Sequence, residues 1–309
     1  MTRDEFLESI RSPKTRYKRV ALSPIRYPGG KSLAVGHIVE QLPDVKSVIS
    51  PFFGGGSVEI ALAQKLGIKV VGGDVDYPLV NYWQHQLNHR EALVRELNKL
   101  KPTKEEYARV KAICRQWRDD GRQLSPLKLA TYFYFNHALS YGPNFIGWAS
   151  SKYLNPDVYK RLIERVENFE ADITIKHASF EYFFKKYPND FFYCDPPYFL
   201  KSDDESSKMF KGIYPERNKP VNHDNFNHEL LRDCLSKHKG GFILSYNDCR
   251  KAREYYKDCQ IYFPEWQYTM GQGETRVSKT LGNRDGDHIK QSHELLAISG
   301  GRSTSSKRL

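Results

Sequence analysis

Short apolar runs alternate along this chain with stretches of helical period, a pattern that predicts strands and helices in turn and hence an α/β fold. Val45 to Ser50 reads as a buried strand, and Pro51-Phe52-Phe53-Gly54-Gly55-Gly56-Ser57 follows it. A helix from about Val58 to Leu66 comes next, with Gly67 placed to cap its end. A second strand, Ile68 to Gly72, runs out at Asp74, and a later one, Phe191 to Cys194, runs out at Asp195. Between those two aspartates lie roughly 120 residues, too many for a plain connection, so a folded insertion is expected. Its first part, Arg95 to Lys128, is helical in pattern and rich in basic residues. Thr131 to Phe135 is an aromatic run of core character, and Asn136 to Trp148 is a loop. A helix from Asp157 to Phe169 places Val158, Leu162, Ile163, Val166 and Phe169 on one face, and Ile173-Thr174-Ile175 returns the chain to the sheet.

The length of 309 residues with 39% hydrophobic content allows a full core and excludes a disordered chain. The net charge of +11 favours a polyanionic partner. Without a lipid-anchor motif or an apolar stretch long enough to span a bilayer, that partner is nucleic acid and not a membrane. Met1 to Glu5 lacks the apolar region of a signal peptide, so a cytoplasmic location is expected. Five cysteines without a C-x-x-C pair, and histidines without ligand spacing, point to neither a disulfide framework nor a metal site. Residues 1 to 22 are expected to form a basic, mobile arm.

The chemistry concentrates where strands end. Asp195-Pro196-Pro197-Tyr198 sets a carboxylate, a rigid carbonyl and a ring side by side, because two prolines cannot continue a central strand. Such a corner suits methylation of an amine conjugated with a ring. Asp195 and the Pro196 carbonyl would accept the amine's two hydrogens, and Tyr198 would stack on the base. A plain turn closing the strand is the alternative. Upstream, Tyr27-Pro28-Gly29-Gly30-Lys31-Ser32 has the ending of a phosphate loop, but Ile25 stands where that motif needs glycine. The glycine turn at 54 to 56 is likewise short of a dinucleotide fingerprint, since Glu59 replaces the third glycine. Without a pyrophosphate to approach, it suits an adenosine ligand whose ribose hydroxyls meet Asp74, though Asp74 also fits as the N-cap of a helix beginning near Tyr77.

Taken in order, Tyr27-Pro28-Gly29-Gly30-Lys31, Phe52-Phe53-Gly54-Gly55-Gly56, Asp74 and Asp195-Pro196-Pro197-Tyr198 resemble the Dam-type (D12 class, alpha group) adenine-specific DNA methyltransferases. Gly241 to Asn247 and the closing strand Glu294 to Ile298 look alike as well. The resemblance implies a Rossmann-like class I S-adenosylmethionine-dependent methyltransferase sheet with a mainly helical target-recognition insertion. The catalytic domain would take residues 23 to 90 and 170 to 299, and the insertion 91 to 169. It also implies S-adenosylmethionine as cofactor and transfer to N6 of an adenine flipped out of duplex DNA. The catalytic residues would be Asp195, Pro196, Pro197 and Tyr198. The cofactor would meet Tyr27, Gly30, Lys31, Phe52, Gly54, Gly56, Asp74, Phe180 and Asp195. This sequence departs from the family at Tyr27, where tryptophan is usual, and at Ser179, where an acidic residue often precedes Phe180.

For double-stranded DNA, Arg115, Arg118 and Arg122 are expected at phosphates, against the plainer reading of a solvated helix face. Asn144 and Phe145, in a loop resembling the family's recognition segment, are expected at bases, with Phe145 or Trp148 as a wedge and an ordinary turn as the alternative. Lys201 to Asn222 reads as a loop over the site, and Gly300 to Leu309 as a disordered tail. Methylation of cytosine or of an RNA base, and a catalytically silent DNA-binding regulator, are the competing functions. Oligomeric state and a cognate restriction endonuclease stay open.

Overall fold

The basic lead-in is not a loose arm but part of the body. Thr2 and Glu5 cap each other reciprocally and start helix α1, Arg3–Ser9. α1 buries Phe6 and Leu7, and Arg3 donates to the Leu42 carbonyl at 2.6 Å. A hairpin of β1 (Arg11–Ser12) and β2 (Arg16–Tyr17) then turns the Tyr17 ring onto helix α2 (Val35–Gln41). Gly36 makes the room, since a Cβ there would lie 2.3 Å from the ring. Phe6, Leu7, Tyr17 and Val20 anchor the segment because each meets a ready apolar face, and the charge around them stays in water.

From there strands and helices alternate: β3 (Ser47–Ser50), α3 (Ser57–Leu66), β4 (Lys69–Asp74), α4 (Tyr77–Asn88), α5 (Arg90–Leu97), α6 (Lys104–Asp119), α7 (Pro126–Leu139), α8 (Pro156–Glu167), β5 (Ile173–His177), α9 (Phe180–Lys186) and β6 (Phe192–Cys194). The chain closes with α10 (His228–Lys237), β7 (Phe242–Asn247), α11 (Arg250–Tyr255), β8 (Gln260–Tyr262) and β9 (Glu294–Ser299). The computed structural model describes the chain apart from residues 14, 143, 201–224, 265–293 and 301–309. The loop expected over Lys201 to Asn222, and all but the first residue of the expected tail, lie outside the described residues. No helix among the described residues is long and apolar enough to cross a membrane.

Among the described residues β3 to β9 form one seven-stranded sheet in the order β5-β4-β3-β6-β7-β9-β8. The first five are parallel, and β9 runs antiparallel to both of its neighbours. The sheet is Rossmann-like, and a helical insertion interrupts it between β4 and β5. Successive strand residues face opposite sides, so Val48, Tyr193, Ile243 and Leu296 enter one core while Ile49, Phe192, Leu244 and Leu295 enter the other. Strand order reverses between β3 and β6, which pair at Ile49 and Phe192. In open α/β sheets the crevice at such a reversal, outside the carboxyl ends of the strands, is where ligands bind.

The insertion packs onto the same core as one face of the sheet. Every side chain from Leu129 to Leu139 of α7 is buried, as a helix apolar all round must be, and the Thr131–Phe135 run is core. Tyr134 joins α8 to the N-terminal segment: its hydroxyl lies 2.9 Å from the Leu162 carbonyl and 3.4 Å from that of Pro24. α8 buries Tyr159, Leu162, Ile163 and Val166, and Phe169 is buried just past its end.

Candidate active site

The glycine turn after β3 is held from three sides. Gly54 and Gly56 take left-handed backbone, at φ 48° and 65°, conformations that a side chain disfavours. Beneath them the Phe53 ring fills the space that a Cβ on Gly56 or Gly72 would need, at 2.7 and 2.4 Å. Above them lies Tyr27, whose side chain a Cβ on Gly55 would meet at 2.5 Å. Asp74 is not the N-cap of α4; that position is Asp76. The Asp74 carboxylate instead ties two loops together, accepting from the Gly54 N–H and the Asp76 N–H, each at 3.0 Å.

The proline corner stands on the neighbouring strand. The buried run Phe192–Cys194 fixes where β6 ends, and the corner puts Asp195 beyond the sheet edge with its side chain 21% exposed. Oδ1 of Asp195 lies 2.9 Å from the Lys31 ammonium and 3.4 Å from the Tyr198 hydroxyl. Tyr198 is turned inward. Its ring stacks on Tyr246 at 5.8 Å, and its hydroxyl donates to Glu294 at 2.7 Å. The expected stacking of a base on Tyr198 is therefore corrected, because the ring is enclosed by protein and does not face the cavity.

Both motifs open into one cavity of about 320 Å³, at the lower end of the range for small-molecule sites. Tyr27, Gly30, Lys31, Phe52, Gly54, Gly56, Asp74, Phe180 and Asp195 all line it, with Pro196 and Pro197. Lys31 reaches it mainly as a strut, since its ammonium is engaged by Asp195 and by the Gly29 carbonyl at 3.1 Å. At one end Phe52, Phe180 and Phe226 lie 5.6 to 5.7 Å from one another and form an aromatic box. The sequence pattern gave no sign of Phe226, which follows a polar stretch without a motif of its own. Nor did it single out Asp76, which lies at the wall two residues past Asp74.

The residues expected at DNA divide. Asn144 reaches the cavity wall. Phe145 does not point outward: it is 8% exposed and packs 5.2 Å from Phe133 and 6.3 Å from Trp117. An apolar ring on this loop finds the α6–α7 core before it finds solvent, which corrects its expected part as a wedge. The more exposed ring on this loop is Trp148, at 81% against 63% for Tyr141, with the Lys111 ammonium 4.8 Å from its centre. Arg115, Arg118 and Arg122 are exposed at the end of α6 and just beyond it. Arg118 pairs with Asp119 at 2.6 Å, and Arg122 donates to Gln116.

Carboxylates lie at the cavity floor, Glu59 and Asp195, and beneath it, Glu294. Burial pushes Glu59 up to about 7, although its Oε1 accepts from the Ser50 hydroxyl at 2.6 Å. Burial raises Glu294 to about 7 and raises Asp195 as well, with Lys31 opposing both shifts. A carboxylate whose folded pKa is raised contributes stability that is full below its unfolded pKa and is lost as pH rises through the folded value. Glu59→Gln removes that penalty. Thermal denaturation of the protein without ligand should show the variant's gain in Tm over wild type largest near pH about 8 and vanishing towards about 5. A gain independent of pH would contradict a raised Glu59.

Comparison with curated proteins gives no match. Comparison with protein families gives one, to the D12 class N6 adenine-specific DNA methyltransferase, over residues 27–270. The match begins at Tyr27, the first residue of the cavity wall, and runs through the glycine turn, the insertion and the proline corner. With the sheet order and the cavity uniting both strand ends, the chain belongs to the D12 class of N6 adenine-specific DNA methyltransferases.

Proposed function

We propose that the chain transfers a methyl group from S-adenosylmethionine to N6 of an adenine turned out of duplex DNA. The observation that carries this reading is that Asp195 and Pro196 line the same cavity as Phe52, Gly54 and Asp74, from adjoining strands. The residues present suit such a cofactor. The aromatic box takes a flat heterocycle, and the Asp74 carboxylate at the cavity wall is the kind of acceptor that ribose hydroxyls need. When bound, S-adenosylmethionine supplies an electrophilic methyl carbon on a sulfonium.

The protein's task is to aim the amine. An adenine amino group is a poor nucleophile because its lone pair is delocalised into the ring. Acceptors on its two hydrogens draw it towards tetrahedral geometry and free the lone pair. Oδ1 of Asp195 is engaged by the Lys31 ammonium, so Oδ2 and the Pro196 carbonyl take that part. The ionised carboxylate also offers a base for the proton that the methylated amine sheds. Base flipping follows from reach, because the chemistry lies in a recessed cavity and the amine within a stacked duplex cannot enter it. Incubation with DNA and methyl-labelled cofactor, followed by nucleoside analysis, should place the label in N6-methyladenine; label in another nucleoside would reject the reading.

Exposed arginines at the end of α6 suit phosphates. Replacing Arg115, Arg118 and Arg122 together by Gln should weaken binding to all sequences alike and flatten the salt dependence by roughly one unit of slope for each phosphate no longer neutralised. Trp148→Ala should leave that slope unchanged and alter which sites are methylated, since an exposed ring reads bases and not charge. Filter binding across salt, together with methylome mapping, checks both; a changed methylation pattern in the arginine variant alone would put recognition on α6.

A further inference from the structure

We propose that Glu294 is a positioning residue for methyl transfer, holding Lys31 and Tyr198 so that Asp195 keeps one oxygen fixed and the other directed at the target amine. The inference rests on the part proposed above for Asp195. β9 runs antiparallel to β7, so its first residue, Glu294, stands opposite Asn247 at the carboxyl end of β7, on the sheet edge that carries Asp195. There it is 1% exposed and does not line the cavity. Its Oε1 accepts from the Tyr198 hydroxyl at 2.7 Å and lies 3.7 Å from the Lys31 ammonium. The Lys31 ammonium also holds Oδ1 of Asp195, at 2.9 Å, while the Tyr198 hydroxyl, whose one proton goes to Glu294, stands 3.4 Å from it. Lys31 has three N–H donors, and among the described residues the Gly29 carbonyl, Asp195 and Glu294 stand around it as acceptors.

Packing alone does not call for an acid at this place. Leu295, Leu296 and Ala297 bury β9, and an apolar residue at its start would avoid the desolvation of a second carboxylate. What the acid adds is a counterweight. With Glu294 present, the lysine's charge is divided between two carboxylates, and Asp195 is held through one oxygen. Without it, Asp195 is the one carboxylate left beside the ammonium among the described residues, is drawn round by it, and loses proton affinity. Burial raises Asp195 and Glu294 while Lys31 opposes both, which is the coupling this arrangement requires. The charged and titratable groups around Glu294 in the described residues are Lys31, Asp195 and Tyr198, and Glu59 faces Asp195 from α3.

The test compares Glu294→Gln, Glu294→Asp and Tyr198→Phe with wild type in the full chain. Glu294→Gln should lower kcat by roughly 10²-fold, the cost of a misaimed reacting group, with calorimetric Kd for S-adenosylmethionine within about twofold of wild type. The acid limb of its kcat–pH profile should move to lower pH, which a merely structural residue would not cause. Glu294→Asp keeps the charge and should recover part of the rate. Tyr198→Phe cuts one link without touching either carboxylate, and should show a smaller loss even if the Gln variant fails to fold. A loss of kcat matched by an equal loss of cofactor affinity, or an unmoved acid limb, would overturn the proposal. Asp195→Asn separates the two readings. If it stays active, the assignment of Asp195 falls; if it is inactive while Glu294→Gln retains wild-type kcat and profile, only the positioning role falls.

Discussion

Asp195→Asn should lose methyl transfer by roughly 10²- to 10³-fold in kcat or more, the scale seen when one preorganised group at a developing charge is removed. The amide keeps one acceptor oxygen but loses the charge that pulls on the amine and takes its proton. Asn is the cleaner variant than Ala because Lys31 is buried against this carboxylate. Breaking a buried pair outright costs about 3 to 5 kcal/mol, and Asp195→Ala would carry part of that cost, softened by Glu294 as the remaining counter-ion. DNA affinity should change little in Asp195→Asn, and cofactor affinity far less than turnover, so the loss falls mainly on the chemical step. Single-turnover methylation at saturating DNA reads it directly. Robust turnover would remove Asp195 from the mechanism.

Asp74→Ala should weaken S-adenosylmethionine binding by about 100-fold or more while leaving DNA affinity near wild type. The reason is additive: charge-assisted hydrogen bonds are worth about 1.5 to 3 kcal/mol each, and in the proposed function this carboxylate meets ribose hydroxyls in addition to its structural bonds. It also holds the Gly54 N–H, so removing it loosens the left-handed turn that shapes the cavity. Asp74→Asn keeps an acceptor for one N–H and should fall between the two. Calorimetry with cofactor alone distinguishes the cases. Unaltered affinity in Asp74→Ala would sink the ribose role, and a loss equal in Ala and Asn would assign the effect to charge alone.

Local sequence was enough for everything whose geometry is local. A strand that must stop at two prolines, a glycine turn between strand and helix, and an aspartate ending the second strand each fix their own backbone within a few residues, so β3, α3, β4 and the Asp195 corner were legible as they stand. Contacts distant in sequence decided the rest. Tyr198 faces inward because a glutamate from the last strand receives its hydroxyl, and no spacing near the corner signals that partner. Lys31 is a strut because the fold brings Asp195 and Glu294 to it. Phe145 and Trp148, three residues apart on one loop, differ in exposure because only the first meets the face of α7 and the Trp117 ring. At the N-terminus, Phe6, Leu7 and Tyr17 outweigh the surrounding charge, since burial of a few side chains anchors a segment while solvated lysines and arginines cost it little. Composition records how many charges a segment carries; only the packed structure decides which side chains find a surface to bury against.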